Sequence, residues 1–330
     1  MSVKTKRINP LQKYYDLCNC GNSKQKFLNL PAFPRLIDIE LTNNCNFRCL
    51  MCPTGTLSHK RKKGFMDENI LLKILDEISK YKTPLRFIRW GEPMLHPQFL
   101  SFVREANQRK TICHVNTNGS LLNEEKIEQI LEIPLDSIKF SFQGVDRNSY
   151  KEMRNTDYFD DLLKKVKLLY NLRADNEYPY IHVSTTITYE SKEQVISFKK
   201  NVSEFTDLVT VGRTILEHIN INDIKLPDKY KNTILNLKSQ ESVVKKYLDC
   251  VEVFDKLSIN WDGSVSACCG DYDNYMIIGD LNQSSLEEIW NSKKMNTYRK
   301  ILAVNGHKRF KLCKSCFDYH ELQTPGLQQT

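Results

Sequence analysis

Three thiols within eight residues, Cys45-Asn-Phe-Arg-Cys49-Leu-Met-Cys52, constrain this chain more than any other stretch. The strand-like run Leu36-Ile-Asp-Ile-Glu-Leu41 leads into them and Pro53 follows. A C-x3-C-x2-C loop can wrap a soft metal centre, yet it supplies one thiolate fewer than the four usual for an iron–sulfur cluster. A cluster on three cysteines keeps one iron open, and an open iron can take a ligand that undergoes chemistry. A zinc knuckle is the competing reading, but it needs a fourth ligand nearby. His59 is the only close candidate, and its spacing is poor.

The length of 330 residues is ample for one large α/β domain and a small one, and 40% apolar with 27% charged residues is an ordinary globular composition. The net charge of +8 permits an anionic substrate or partner, although a solvated basic surface explains it as well. The run His59-Lys-Arg-Lys-Lys63 reads as an exposed loop face, with a grip on phosphate as the alternative. No stretch has the length to span a bilayer, and Met1 to Pro10 lacks the apolar core of a secretory signal. A cytoplasmic protein is expected, with no membrane or nucleic-acid partner. In that reducing compartment eleven cysteines are better explained by metal ligation than by disulfides.

Residues 1–35 read as a polar surface arm, with Cys18 and Cys20 as a weak extra metal signal. From residue 36 short β-rich runs (36–41, 85–89, 112–117, 137–142, 180–188 and 207–211) alternate with amphipathic stretches near 67–81, 97–109, 123–132, 159–173 and 190–204. In the first of these, Ile70, Leu71, Ile74, Leu75 and Ile78 share one helical face. Strands separated by such helices predict parallel βαβ units, and six of them predict an α/β fold, a partial (β/α)6 TIM-like barrel over 36–211. Chemistry in barrels sits at the C-terminal strand ends, which is where the cysteine loop falls.

Further motifs recur at those ends. Arg89-Trp-Gly-Glu-Pro-Met-Leu-His-Pro97 follows the second strand, Asn116-Thr-Asn-Gly119 ends the third, and Phe140-Ser-Phe-Gln-Gly-Val145 ends the fourth, with Arg154 beyond it in Tyr150-Lys-Glu-Met-Arg-Asn. Together with the cysteine loop, this series resembles the radical S-adenosylmethionine (SAM) superfamily. The resemblance implies that Cys45, Cys49 and Cys52 hold a [4Fe–4S] cluster whose open iron chelates SAM. It implies that Gly91 and Glu92 meet the SAM amino group, although Trp90 stands where the family has a glycine. Asn118 matches the Thr-Asn-Gly turn. Ser141 and Arg154 would hold the SAM carboxylate, the arginine by a bidentate ion pair, with Gln143 replacing the family's acid. Thr186, with Thr188, ends the fifth strand and could face the adenosine. Met51 takes the place of the usual aromatic residue before the third cysteine, and its thioether can still pack on a ring.

Past a connection over 212–247, with a Lys- and Asn-rich helix near 229–247, come Cys250, Cys268, Cys313 and Cys316. Between them Ile259 to Ala267 has the Asp-Gly signature of a hairpin. Four such thiols can hold a saturated [4Fe–4S] cluster, with structural zinc as the alternative. The segment 248–320, before a tail over 321–330, resembles the SPASM or twitch domain of radical SAM enzymes, which implies one auxiliary cluster. The adjacent Cys268 and Cys269 leave the choice of ligand open. Cys113 and Cys269 are either buried structural thiols or hydrogen-atom donors to a substrate radical.

This resemblance implies an oxidoreductase. SAM would be cleaved to a 5′-deoxyadenosyl radical that takes hydrogen from a C–H bond, with a flavodoxin- or ferredoxin-type protein supplying electrons. A saturated auxiliary cluster favours electron transfer, hence oxidation of an alcohol on a sugar, aminocyclitol or nucleotide-sugar. Alternatives are radical epimerisation of a carbohydrate through a cysteine donor, modification of a short ribosomal peptide, and a non-catalytic electron carrier.

Overall fold

The computed structural model describes residues 7–216, 218–240, 243–245, 250, 252–316 and 320–322. Six strands, β1 (Leu36–Ile39), β2 (Leu85–Phe87), β3 (Cys113–Thr117), β4 (Ser137–Ser141), β5 (Tyr180–Ile187) and β6 (Leu208–Arg213), lie parallel and adjacent in chain order. Helices Glu68–Lys80, Phe99–Gln108, Glu124–Glu132, Phe159–Arg173 and Lys192–Ser203 make the crossovers. Three of them start where a polar side chain accepts an otherwise orphaned backbone N–H: Asp67, Asn123 and Ser191. The expected (β/α)6 partial barrel is the observed architecture, with element ends moved by a few residues. One helix, Arg147–Arg154, has no counterpart among the expected elements, being short and mostly polar; its capping box at Asp146 starts it just after β4.

Alternation along the strands divides the sheet into two unlike faces. Ile37, Ile39, Leu85, Phe87, Val115, Ile138, Phe140, Ile181 and Val183 are buried in the core with the inward stripes of the helices, such as Leu71, Ile74, Leu75 and Ile78. Each such side chain contributes about 1.5–3 kcal/mol. The opposite face lines the barrel lumen and is polar. Asp38 is level with Arg86 and Arg86 with His114, while Asn116 is level with Lys139 and Lys139 with His182.

Beyond β6 the chain forms β7 (Val243–Lys245), β8 (Lys256–Ile259), β9 (Ser264–Ser266), β10 (Ile277–Asp280) and β11 (His320–Leu322). The expected Asp-Gly hairpin is β8–β9, and β10 pairs antiparallel with β9. β8 also pairs parallel with β1, so this cysteine-rich segment continues the barrel sheet in the order β10-β9-β8-β1-β2-β3-β4-β5-β6. β7 and β11 form a separate antiparallel pair.

Two other segments buttress the barrel. In the connection, helix Asp228–Gln240 is shorter than expected, and residues 241–242 and 246–247 of that stretch lie outside the described residues, as do 323–330 of the expected tail. Its Ile234 and Leu237 pack with Leu50 of the cysteine loop, Met153 and Leu216 in a small second core. At the N-terminus, the described part of the arm forms helices Gln12–Asn19 and Ser23–Leu28 under the N-terminal strand ends. Tyr15 lies under the Arg86 guanidinium at 5.8 Å, and Lys26 pairs with Asp255 at 2.5 Å. Cys18 is buried there, its thiol pushed up to about 11 by burial and the neighbouring Asp255, and Cys20 is exposed. No described helix is long and apolar enough to cross a membrane.

Candidate active site

Cys45, Cys49 and Cys52 line one cavity of about 230 Å³ at the C-terminal end of β1 to β4. Gly91, Glu92, Asn118, Ser141 and Arg154 line it too, together with Met51, Ile88, Arg89, Trp90, Asn116 and Thr117. His59 is not among them. Burial, with the charge of Cys49 next, pushes the Cys45 thiol up to about 12 and drives Cys52 in the same direction. Buried thiols crowded in this way stay protonated unless a cation takes them, which is what a metal centre does.

Gly91 is required sterically. A Cβ there would come within 2.0 Å of the Thr42 carbonyl oxygen and 2.8 Å of that of Asn44, so the β2 loop runs flush against the backbone leading into the cysteine loop. Gly91→Ala is expected to cost about 1–3 kcal/mol of stability, read as a lowered thermal midpoint.

Glu92 departs from the expected free carboxylate. It is 2% exposed and accepts from Thr117 Oγ1 at 2.7 Å and from the Asn118 backbone N–H at 2.7 Å. It also caps the short turn Pro93–Leu95 through the Met94 N–H at 3.2 Å. Burial raises its pKa and these donors oppose the rise. The carboxylate therefore clamps the second and third strand-end turns together and has little capacity left for a ligand ammonium.

Arg154 also differs in detail. Its Nη1 donates to Cys49 Sγ at 3.4 Å, while Nη2 donates to the Ser141 and Phe142 carbonyls, the latter at 3.2 Å. Nε is buried without a partner. A bidentate grip through both Nη atoms would have to break these bonds, so Nε is the donor left for a ligand.

Gln143 and Thr186 do not line the cavity. The Thr186 hydroxyl donates to the Gln143 amide oxygen at 2.5 Å, and the Gln143 amide N–H donates to Thr214 Oγ1 at 2.6 Å. The pair ties β4 to β5 and the end of β6, a correction to their expected cofactor contacts. Cys113 is corrected too. It begins β3, at the barrel end opposite the cysteine loop, and is buried beside Asp136 with its thiol raised well above the ordinary value by burial. A hydrogen-atom donor there would be a whole strand away from the chemistry.

The second cysteine set also converges. Burial first, then Glu252 among other groups including Cys313, raises the Cys250 thiol. Cys268 is held down by its hydrogen bond with Cys269 but is raised on balance to about 11 by burial, Glu252, Cys250 and Cys316. Burial raises Cys313 to about 11. Cys268 thus feels Cys250 and Cys316, and its hydrogen-bonded neighbour Cys269 has Glu252 and Asp38 beside it. Among the described residues, the group of three or more His, Cys, Asp or Glu ligand atoms that all fall within 4.8 Å is Asp38, Glu252 and Cys269. Both carboxylates of that group are neutralised, by Arg86 at 2.7 and 2.8 Å and by Lys256 at 2.6 Å. Neither set of candidate cluster cysteines is that close-set.

Arg89 links the two sites. Its backbone lies on the cavity wall with φ +136°, a conformation that side-chain-bearing residues rarely adopt. Its guanidinium compensates by donating to Asn260 Oδ1 at 3.0 Å, the Asp271 carbonyl at 2.8 Å and the Cys268 carbonyl at 3.4 Å.

This geometry has counterparts among known proteins. The radical SAM superfamily model matches residues 39–200, and the SPASM model, an iron–sulfur cluster-binding domain, matches residues 250–317. The chain belongs to the radical SAM superfamily. It is 27% identical over 296 residues to the tungsten-containing aldehyde ferredoxin oxidoreductase cofactor-modifying protein of Pyrococcus furiosus, covering 80% of this chain and 82% of that one. It is 20% identical over 285 residues to the S-adenosyl-L-methionine-dependent 2-deoxy-scyllo-inosamine dehydrogenase of Niallia circulans, covering 85% and 92%. The structure of Streptococcus suis SuiB bound to S-adenosylmethionine has a TM-score of 0.63 at 16% identity, covering 89% of this chain and 74% of that one. The cofactors of this radical SAM enzyme are thus SAM and [4Fe–4S] clusters, one for the barrel and one auxiliary in the SPASM segment.

The lumen-facing set, Asp38, Arg86, His114, Asn116, Lys139 and His182, was not singled out from sequence. The signal was there as polar residues at alternate strand positions, which read equally well as a solvated sheet face.

Proposed function

We propose that this protein is a radical SAM dehydrogenase that oxidises an alcohol of a small polar substrate held in the barrel lumen, taking one hydrogen from the carbon and one from its hydroxyl. One observation carries the reading: Asp38, Glu252 and Cys269 bring the four-cysteine segment to the lumen wall, below the three-cysteine cavity. A substrate in the lumen would then lie between the two sites. Cys45, Cys49 and Cys52 would hold the first cluster, with Gly91, Asn118, Ser141 and Arg154 around SAM. Cys250, Cys268, Cys313 and Cys316 would hold the auxiliary one. When bound, these groups supply a 5′-deoxyadenosyl radical to take one hydrogen atom and an acceptor for the second electron.

The chain's own residues do the rest. The hydroxyl proton needs a base, and Asp38 and Glu252 are the carboxylates beside Cys269 on this wall. The Glu92 clamp fixes two strand-end turns, and helices Gln12–Asn19 and Ser23–Leu28 brace the barrel through Tyr15 against Arg86 and Lys26 against Asp255. The balance is one hydrogen atom to the radical, one proton to a carboxylate and one electron to the auxiliary site.

Cys269 supports a second reading, radical epimerisation, because its thiol faces the lumen. The two readings separate cleanly. For a dehydrogenase, Cys313→Ala is expected to lower the iron content and abolish the product lighter by two hydrogens while SAM cleavage continues. An unchanged yield of that product with the iron lost would sink the proposal. Cys269→Ala is expected to leave a dehydrogenase's product in place, and an epimerase would lose its product, which has the substrate's own mass.

A further inference from the structure

Lys139 is a lumen cation that no described residue bonds or pairs with. It stands in the middle of β4, level with Asn116 on one side and His182 on the other. Two residues further along the same strand face, Ser141 lines the three-cysteine cavity, as does Asn116. Lys139 thus lies one layer beneath that cavity. No hydrogen bond or ion pair joins its ammonium to any described residue.

The charges around it are already in pairs. Asp38 is gripped by both Arg86 nitrogens at 2.7 and 2.8 Å, and Glu252 is bound to Lys256 at 2.6 Å. The two histidines add no negative charge. His114 bonds Ser137 Oγ at 2.9 Å and Asn116 Oδ1 at 2.7 Å, and His182 bonds Thr210 Oγ1 at 2.8 Å. Burial holds both neutral, His114 well below the ordinary value and His182 down to about 3. Burial and then Arg86 bring Lys139 down to about 8, and Asp38, already held by Arg86, offsets this only in part.

We infer that the lumen takes a substrate carrying an oxyanion, a carboxylate or a phosphate, which pairs with the Lys139 ammonium and so fixes the substrate beneath SAM. This rests on the proposed role of the lumen as the substrate chamber. It also narrows the substrate: the ammonium of an aminocyclitol would meet like charge here, whereas an acidic or phosphorylated polyol meets its complement.

Equilibrium dialysis of the cluster-reconstituted protein against labelled inorganic phosphate, acetate and methylammonium tests this, with and without SAM. Saturable binding of phosphate or acetate is expected for the wild type and for Lys139→Arg. A loss of at least about tenfold is expected for both Lys139→Met and Lys139→Gln, each checked for native circular dichroism. The better-held anion tells a phosphate substrate from a carboxylate one. No saturable anion binding, equal binding by folded Lys139→Met or Lys139→Gln, or tighter binding of methylammonium would each overturn the inference. Failure of the wild type to cleave SAM would count instead against the proposed function, so the two failures are distinguishable.

Discussion

Changing Cys45, Cys49 and Cys52 together to alanine is expected to lower bound iron from about eight atoms per chain to about four and to stop reductive cleavage of SAM altogether. The three thiols share one cavity wall, and burial raises Cys45 and Cys52 beyond the range of free thiols. Nothing else on that wall offers a soft ligand except Met51. The loop's fold should survive, because Leu50 is anchored in the second core with Met153 and Ile234, and the Thr56 N–H bonds the Cys52 carbonyl at 2.9 Å. Iron analysis and chromatography of 5′-deoxyadenosine after dithionite reduction measure both quantities. Continued SAM cleavage by the triple variant would show that the radical does not start at this loop.

Arg154→Leu is expected to weaken SAM binding and cleavage by about 10–100-fold, the usual scale for a residue that supports a metal ligand, while Arg154→Lys recovers part of it. The guanidinium donates to Cys49 Sγ at 3.4 Å and holds the carbonyls of Ser141, the last residue of β4, and of Phe142 just after it. Burial opposes its charge, and Cys49 is the largest influence restoring it. Leucine would remove the cation from beside a cluster thiolate and strand both carbonyls in a buried site, at about 1–3 kcal/mol for each unsatisfied group. The Kd for SAM by equilibrium dialysis and the rate of 5′-deoxyadenosine formation separate positioning from chemistry. Unchanged values for both would reduce Arg154 to a loop tie.

Much of the barrel was legible because helix and strand periodicities are local. Ile70, Leu71, Ile74, Leu75 and Ile78 mark their helix whatever the rest of the chain does, and the three-thiol loop carries its chemistry within eight residues. Polar partners brought together over long separations were harder. Gln143 and Glu92 looked like ligand contacts from their motifs, yet their atoms meet Thr214 and Thr117, and nothing in a local pattern reveals that a carboxylate is already satisfied. The same holds for Cys113 and Cys269. Sequence offered both as hydrogen donors, but only the direction of β3 and the pairing of β8 with β1 tell that one is at the far end and the other at the lumen.

By itself, then, the order of residues determined the strand–helix alternation, the cysteine loop after β1 and the presence of a second cysteine set, since all of these depend on spacing over a few turns of chain. The tertiary structure decided how the second set joins the barrel, that Cys269 comes beside Asp38 and Glu252, and that no described residue bonds the Lys139 ammonium. Those outcomes rest on contacts between residues scores of positions apart. Their energies come from burial and paired charge, which exist only once the sheet has closed.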